Sequence, residues 1–129
     1  MSSQVILDAS ALLAILFEEP GSEVVAEVLS SCSISAVNYA EVLTLLVREG
    51  LPHVEAIHKL AALNLPVIPW DQALAEAAAD LSPLAKTHGL SLGDRACLAT
   101  ARSLRHTVLT TERAWRRLPK LGIEIQFIR

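Results

Sequence analysis

Short apolar runs alternate with segments of helical periodicity along the whole chain, and this alternation restricts the fold more than any other feature. The runs are short and apolar enough to form strands that are covered on both faces, as in parallel sheets. We therefore expect an α/β protein, a three-layer α/β/α sandwich with a mainly parallel central sheet. Strands are predicted at 4–7, 32–35, 65–68, 107–110 and 123–128, with helices between them and a short helix at 112–118.

The size and composition of the chain predict one domain, spanning residues 1–129, that associates with itself. A chain of 129 residues fits the common domain size. Hydrophobic residues make up 52% of the sequence, which is high for a small protein whose surface must be largely polar. We therefore expect apolar surface to be buried between subunits, most simply in a homodimer.

Several features predict a cytoplasmic protein without a membrane segment. The longest apolar stretch, 5–17, is interrupted by Asp8 and Ser10 and falls short of the roughly 20 residues that a membrane span needs. The start of the chain lacks the basic segment and cleavage site of a secretory signal. Cys32 and Cys97, the only cysteines, lie in apolar contexts, as expected for a reducing compartment.

Charge is divided unevenly along the chain. The net charge of −3 argues against a protein that coats nucleic acid without specificity. Residues 1–89 carry 3 basic and 11 acidic side chains, whereas residues 90–129 carry 8 basic and 3 acidic ones, which gives −8 and +5. The C-terminal part can therefore form a basic face, although solvated helix charges explain the same pattern.

Four acidic residues are predicted to lie at one edge of the sheet. Asp8 ends the first strand, and Glu41 lies two turns into the helix after the second strand. Asp94 opens an apolar helix, three residues after a capping serine. Glu112 follows the fourth strand. In parallel sheets such positions share the carboxyl edge, where ligands bind.

Each acid also has a purely structural explanation, as a helix cap or a surface charge. Glu41 fits such an explanation least, because its neighbours are apolar and an unpaired carboxylate is costly to bury. We therefore expect a cation or a metal ion beside it.

The acidic set predicts a site for a hard metal ion. Carboxylate oxygens without a nearby Cys or His cluster favour Mg²⁺ or Mn²⁺. Such an ion activates water and neutralises the charge that develops on a phosphodiester, so the predicted reaction is phosphodiester hydrolysis. Arg95 and Arg113 are candidate phosphate contacts, although both can equally be surface charges.

Four segments, VILDASALLA, SAVNYAEVL, LSLGDRACLATA and VLTTERAW, occur in an order and spacing that closely resemble PIN-domain ribonucleases of the VapC toxin family. The resemblance covers nearly the whole chain. It implies a metal-dependent endoribonuclease that acts on RNA, and an antitoxin partner whose basic segment blocks the site. Asp8, Glu41 and Asp94 match the catalytic acids of the family, and Ser10 and Asn38 match polar neighbours of the site that serve substrate binding.

One position departs from the family pattern. Glu112 stands where such toxins usually have a fourth aspartate. Its extra methylene makes contact through water more natural there than direct binding of metal.

Two other functions fit parts of the pattern. A receiver domain has similar length and element order, and Asp71, after the third strand, could be its phosphate acceptor. A receiver also needs an early pair of acids and a lysine after the last strand, and the chain has neither. The third possibility is a non-catalytic binding module on the same scaffold, because a fold does not fix a function.

Overall fold

The computed structural model describes residues 4–129, and it confirms the three-layer α/β/α sandwich. Residues 1–3 lie outside the described range. The predictions that concern the start of the chain, namely the first residues of the domain and the missing secretory signal, fall partly on these residues. All strand pairs in the sheet are parallel, in the order β3-β2-β1-β4-β5. The strands are β1 (Val5–Leu7), β2 (Cys32–Ser35), β3 (Val67–Ile68), β4 (Thr107–Thr110) and β5 (Ile125–Phe127).

Seven α-helices and two 3₁₀ segments connect the strands within residues 4–129. None of these helices is both long and apolar enough to cross a membrane. The helices are α1 (Ala9–Leu16), α2 (Ser22–Val28), α3 (Ala36–Arg48), α4 (His53–Ala61), α5 (Gln72–Asp80), α6 (Ser82–His88) and α7 (Leu92–Leu104), and the 3₁₀ segments are Leu29–Ser31 and Arg113–Arg117.

Two predicted elements differ in extent or type. The third strand has two residues instead of four, because Pro66 and Pro69 flank it and cannot donate ladder hydrogen bonds. It lies at the edge of the sheet, where prolines are tolerated in strands. The predicted helix at 112–118 is a 3₁₀ segment, and it ends before Pro119, where the preceding residue is driven to extended backbone.

The two faces of the sheet pack against different helices because side chains alternate along each strand. Ile6 and Val108 point to the α5 and α7 side and are fully buried there. Leu7 and Leu109 point to the other side, against α1 and α2. A third apolar cluster joins α1, α3 and α4 around Ile34 of β2.

Helix α7, which carries Asp94 in its first turn, is deeply buried. Residues 96–101 are all buried, as the apolar sequence predicts. Its first turn has a reciprocal capping box, in which the Asp94 amide donates to Ser91 Oγ at 3.1 Å and the Ser91 amide donates to Asp94 Oδ2 at 2.9 Å. The start of α7 is therefore fixed, and Asp94 with it.

Candidate acidic site

Asp8 lies at the carboxyl edge of the sheet, between β1 and α1, and is almost completely buried. Three groups donate hydrogen bonds to its carboxylate. The Ala11 amide and the Ser10 hydroxyl donate to Oδ1 at 2.8 and 2.7 Å, and the Thr110 hydroxyl donates to Oδ2 at 2.6 Å. Asp8 is thus the N-cap of α1 and is also fixed from the neighbouring strand β4.

The hydrogen bonds around Asp8 continue into the segment after β4. The Thr111 amide donates to Ser10 Oγ at 2.9 Å, and the Glu112 amide donates to Thr110 Oγ1 at 2.9 Å. Both hydroxyls therefore donate to Asp8 while accepting from the backbone. The ends of β1 and β4 are tied together around one carboxylate.

Burial raises the pKa of Asp8 from 3.8 to about 6. The hydrogen bonds from Ser10, Thr110 and Ala11 lower it, and the charge of Asp94 raises it. Desolvation outweighs the hydrogen bonds because the carboxylate has no cationic partner within residues 4–129. Asp94 is therefore close enough for its charge to affect Asp8.

Glu41 is held against the backbone of α7 by Asn38. The Asn38 amide nitrogen donates to Glu41 Oε1 at 2.7 Å and to the Gly93 carbonyl at 3.0 Å. The Glu41 carboxylate occupies the space that a Cβ at position 93 would need, so only glycine permits this approach. One turn of α3 is thereby joined to the first turn of α7.

The expectation that Glu41 is a buried carboxylate is wrong, because the residue is exposed. Helix α3 points Asn38, Val42 and Leu46 inward, and Glu41 lies beside that face at the rim. Its position therefore does not require a cation. The distinctive feature of Glu41 is that its carboxylate contacts Asn38 and Gly93, next to Asp94 in the first turn of α7.

Asp94, Asp8 and Glu41 all lie within electrostatic range of Cys97, one turn along α7 from Asp94. This thiol is completely buried, and burial is the main reason why its pKa is raised. The charges of Asp8, Asp94 and Glu41 raise the pKa of Cys97 further. Three of the four predicted acids therefore lie within electrostatic range of one point.

The donor set agrees in type with a hard divalent ion, but the carboxylates do not enclose one as they stand. Within residues 4–129 no three His, Cys, Asp or Glu side chains are close enough together to hold a metal ion. Mg²⁺ needs only one or two protein carboxylates and keeps its waters, so the absence of a three-residue cluster in the described range does not conflict with this donor type. Asn38 Oδ1, a buried oxygen without a hydrogen-bond partner in the described chain, is a further acceptor beside these acids.

The remaining predicted residues lie at the margin of this site. Glu112 and Arg113 are exposed, and the Glu112 amide donates to Thr110 Oγ1. Arg95, next to Asp94, is half-buried, and its Nε is buried without a partner in the described part of the chain.

Asp71 lies elsewhere: it caps α5 by accepting from the Leu74 amide, after the edge strand β3. A receiver-like site at Asp71 is therefore not supported.

Three residues of the site were not predicted from the sequence. Thr110 binds Asp8 directly, Gly93 admits Glu41, and Cys97 is a buried thiol within electrostatic range of three of the acids. Thr110 could have been found by noting that it ends the strand paired with the one that Asp8 follows. The other two depend on how α3 and α7 pack, which spacing along the chain does not reveal.

The chain is similar in fold to solved toxin-antitoxin structures. VapBC2 from Rickettsia felis, bound to a promoter DNA fragment, matches with 15% identity and a TM-score of 0.74 over 95% of this chain and 97% of its own. DNA-bound VapBC from Salmonella typhimurium matches with 19% identity and a TM-score of 0.72 over 99% and 100%. FitAcB from Neisseria gonorrhoeae matches with 23% identity and a TM-score of 0.67 over 95% and 96%.

A family profile identifies the chain more directly than these structures, whose low identity shows a shared fold alone. No curated protein sequence matches the chain significantly. The profile of the PIN domain matches residues 5–121, from β1 to the loop before β5, and thus includes every acid of the site. The resemblance found in the sequence is therefore confirmed at this level, and the chain belongs to the PIN-domain family.

Proposed function

We propose that this protein is a Mg²⁺- or Mn²⁺-dependent endoribonuclease and the toxin of a toxin-antitoxin pair. The observation that carries the proposal is that Asp8, Asp94 and Glu41 all lie within electrostatic range of the buried Cys97 thiol, while none of them forms an ion pair with a basic side chain of the described residues. Repelling carboxylates at the ligand-binding edge of a parallel sheet suit a divalent cation. Membership of the PIN-domain family supports nuclease chemistry.

Asp8 and Asp94 are the proposed metal ligands. When bound, the ion would supply an activated water and offset the charge that develops on the phosphodiester. Ser10, Thr110 and the Ala11 amide fix the orientation of the Asp8 carboxylate before anything binds. We assign Ser10 to positioning Asp8, because its hydroxyl proton is already used in that bond.

Glu41 is the proposed acceptor for a proton of the attacking water. Its Oε1 already accepts the Asn38 amide, so Oε2 is the oxygen left to bind that water. Asn38 is a positioning residue, since both hydrogens of its amide are directed at Glu41 and Gly93. Glu41 is exposed, so its carboxylate is accessible to RNA.

Arg95 and Arg113 are the proposed phosphate contacts. Neither forms an ion pair with an acid of residues 4–129, so each guanidinium is free to meet a phosphate. Glu112 is proposed to act on the metal through water, because it is exposed and its side chain makes no hydrogen bond in the described structure.

The test is cleavage of defined RNA fragments with Mg²⁺, Mn²⁺ or EDTA, followed by mapping of the cut ends. Wild type should cut only with metal, and Asp94→Asn should abolish cutting while keeping the capping box, because the Asn oxygen still accepts from Ser91. Asp71→Asn is the matched control, since asparagine caps a helix as well as aspartate. Undiminished cutting by Asp94→Asn, or cutting in EDTA, would overturn the proposal.

The proposed protein partner is an antitoxin with a basic segment that enters the acidic site. The VapBC structures named above belong to a family of toxin-antitoxin systems, and cationic side chains would be attracted to the unpaired carboxylates. The product of an adjacent gene should inhibit cleavage and bind wild type more tightly than a variant with Asp8→Asn and Asp94→Asn. Inhibition that is unaffected by both substitutions would refute the acidic contact.

A further inference from the structure

An open groove of about 670 Å³ lies between the 3₁₀ segment Arg113–Arg117, the loop after it, and the edge strand β5. Arg116, Lys120 and Phe127 line it, together with Gly122 and Glu124. We call this hollow the β5 groove. It lies outside the acidic site and shares no residue with it.

A second hollow, of about 350 Å³, continues the β5 groove past the end of α7. Gly122 and Glu124 line both hollows, so they adjoin. The second is lined further by Arg102, Arg105 and His106. A continuous path therefore runs along the edge of the sheet.

The path is rich in positive charge. Arg105, Arg116 and Lys120 are exposed and form no ion pair with any acid of residues 4–129. Arg102 does pair with Asp80, at 3.2 Å, and Glu124 is the only acid that lines either hollow. The surplus of cations fits a polyanion, and these residues belong to the C-terminal part that carries a charge of +5.

The path also has a flat stacking surface. The Arg116 guanidinium lies over the Phe127 ring, 4.9 Å from its centre. Phe127 is half-buried, and Arg116 above it is exposed. Aromatic rings and arginine planes are the surfaces on which unpaired nucleobases stack.

The groove begins next to the acidic site. Thr110, which binds Asp8, is three residues before Arg113, where the 3₁₀ segment begins. Phe127 is paired in register with Thr110 across β4 and β5. The stacking surface therefore lies one strand away from the acids.

We propose that the β5 groove and its continuation hold the part of a single-stranded RNA substrate that flanks the cut bond. This inference rests on the proposed ribonuclease function. One nucleobase stacks on the Arg116 and Phe127 pair, and Lys120 and Arg105 contact phosphates further along the strand. Single-stranded RNA is the chosen occupant because exposed cations without ion pairs and an arginine–aromatic pair occur together along one path. Association with a protein partner is an outcome that the test separates from RNA binding.

The test measures binding of a fluorescein-labelled single-stranded RNA by anisotropy in EDTA, at several salt concentrations. Arg116→Gln and Phe127→Leu should each raise Kd about five- to 100-fold, the range for loss of a stacked base. Arg105→Gln and Lys120→Gln should each lower the slope of log affinity against log salt by about 0.7. Lys59→Gln, the same charge change on α4, is the matched control and should alter neither quantity.

Failure of this inference can be told apart from failure of the proposed function. If wild type binds RNA and the groove variants bind equally well, the groove has no role in RNA binding, whether or not the protein cuts RNA. If wild type cuts RNA with none of the metals but the groove variants bind RNA more weakly than wild type, the proposed ribonuclease function fails and the RNA-binding role of the groove is supported. Loss of subunit or antitoxin association in the groove variants, without loss of RNA binding, would identify a protein interface and overturn the inference. Arg116 is exposed, so Arg116→Gln should leave the fold intact and still test the inference if Phe127→Leu does not fold.

Discussion

The buried Asp8 carboxyl should make the metal-free protein less stable as pH rises. Its pKa is about 6 in the folded protein and 3.8 when unfolded, so the folded state holds the proton more tightly. The stabilising contribution is therefore fully present below about pH 4 and is lost as pH rises through about 6. The difference between the two pKa values corresponds to about 3 kcal/mol of unfolding free energy.

Asp8→Asn should remove this dependence. An asparagine at position 8 stays neutral at every pH, and its oxygen can still accept from Ser10 and the Ala11 amide. The Thr110 hydroxyl can rotate so that its oxygen accepts from the new amide, and Ser10 Oγ, 3.4 Å away, is the acceptor nearest to its proton. At neutral pH the variant should therefore be more stable than wild type by up to about 3 kcal/mol.

Urea unfolding in EDTA, followed by the fluorescence of the buried Trp115, measures the effect across the range from about pH 4 to 7.5. The stability difference between Asp8→Asn and wild type should grow with pH between about 4 and 6 and then level off. Addition of Mg²⁺ at neutral pH should stabilise wild type and not the variant, because a ligand that binds only the folded state adds to its stability. If the stability difference between Asp8→Asn and wild type does not change with pH, burial does not raise the pKa of Asp8 and this reasoning is refuted.

Three further predictions concern the rest of the site and the assembly. Glu112→Ala should weaken the apparent Mg²⁺ affinity roughly 10- to 100-fold and leave cutting detectable at high Mg²⁺, whereas a variant as inactive as Asp94→Ala would make Glu112 a direct ligand. Gly93→Ala should leave the melting temperature nearly unchanged but reduce cutting, since the new Cβ displaces the Glu41 carboxylate, and it should have no further effect when combined with Glu41→Ala. Light scattering at micromolar concentration should give the mass of a dimer, and a monomer would contradict the prediction from the apolar composition.

The part of the site that could be predicted from sequence is the part fixed by local backbone geometry. Asp8 follows a strand, and in a parallel sheet that position faces the ligand edge. Asp94 stands three residues after Ser91, and that spacing alone predicts the observed capping box. The mainly parallel sheet was predicted from the short apolar runs, which indicate strands covered on both faces.

The remaining features depend on contacts between distant segments. The exposure of Glu41 is set by how α3 is turned relative to α7, and the flanking apolar residues suggested the opposite. Thr110 reaches Asp8 across 102 residues of chain, through the pairing of β1 with β4. The shortened third strand reflects competition between the apolar pattern and the missing donors of two prolines.

Anomalous diffraction from crystals grown with Mn²⁺ would test the central claim most directly. The claim is that the carboxyl edge of the sheet holds a divalent ion between Asp8 and Asp94. We expect an anomalous peak within bonding distance of an oxygen of each carboxylate, with waters filling the other positions, and no peak in crystals of Asp94→Asn. A peak elsewhere on the surface, or a peak that persists at this edge in Asp94→Asn, would contradict the account.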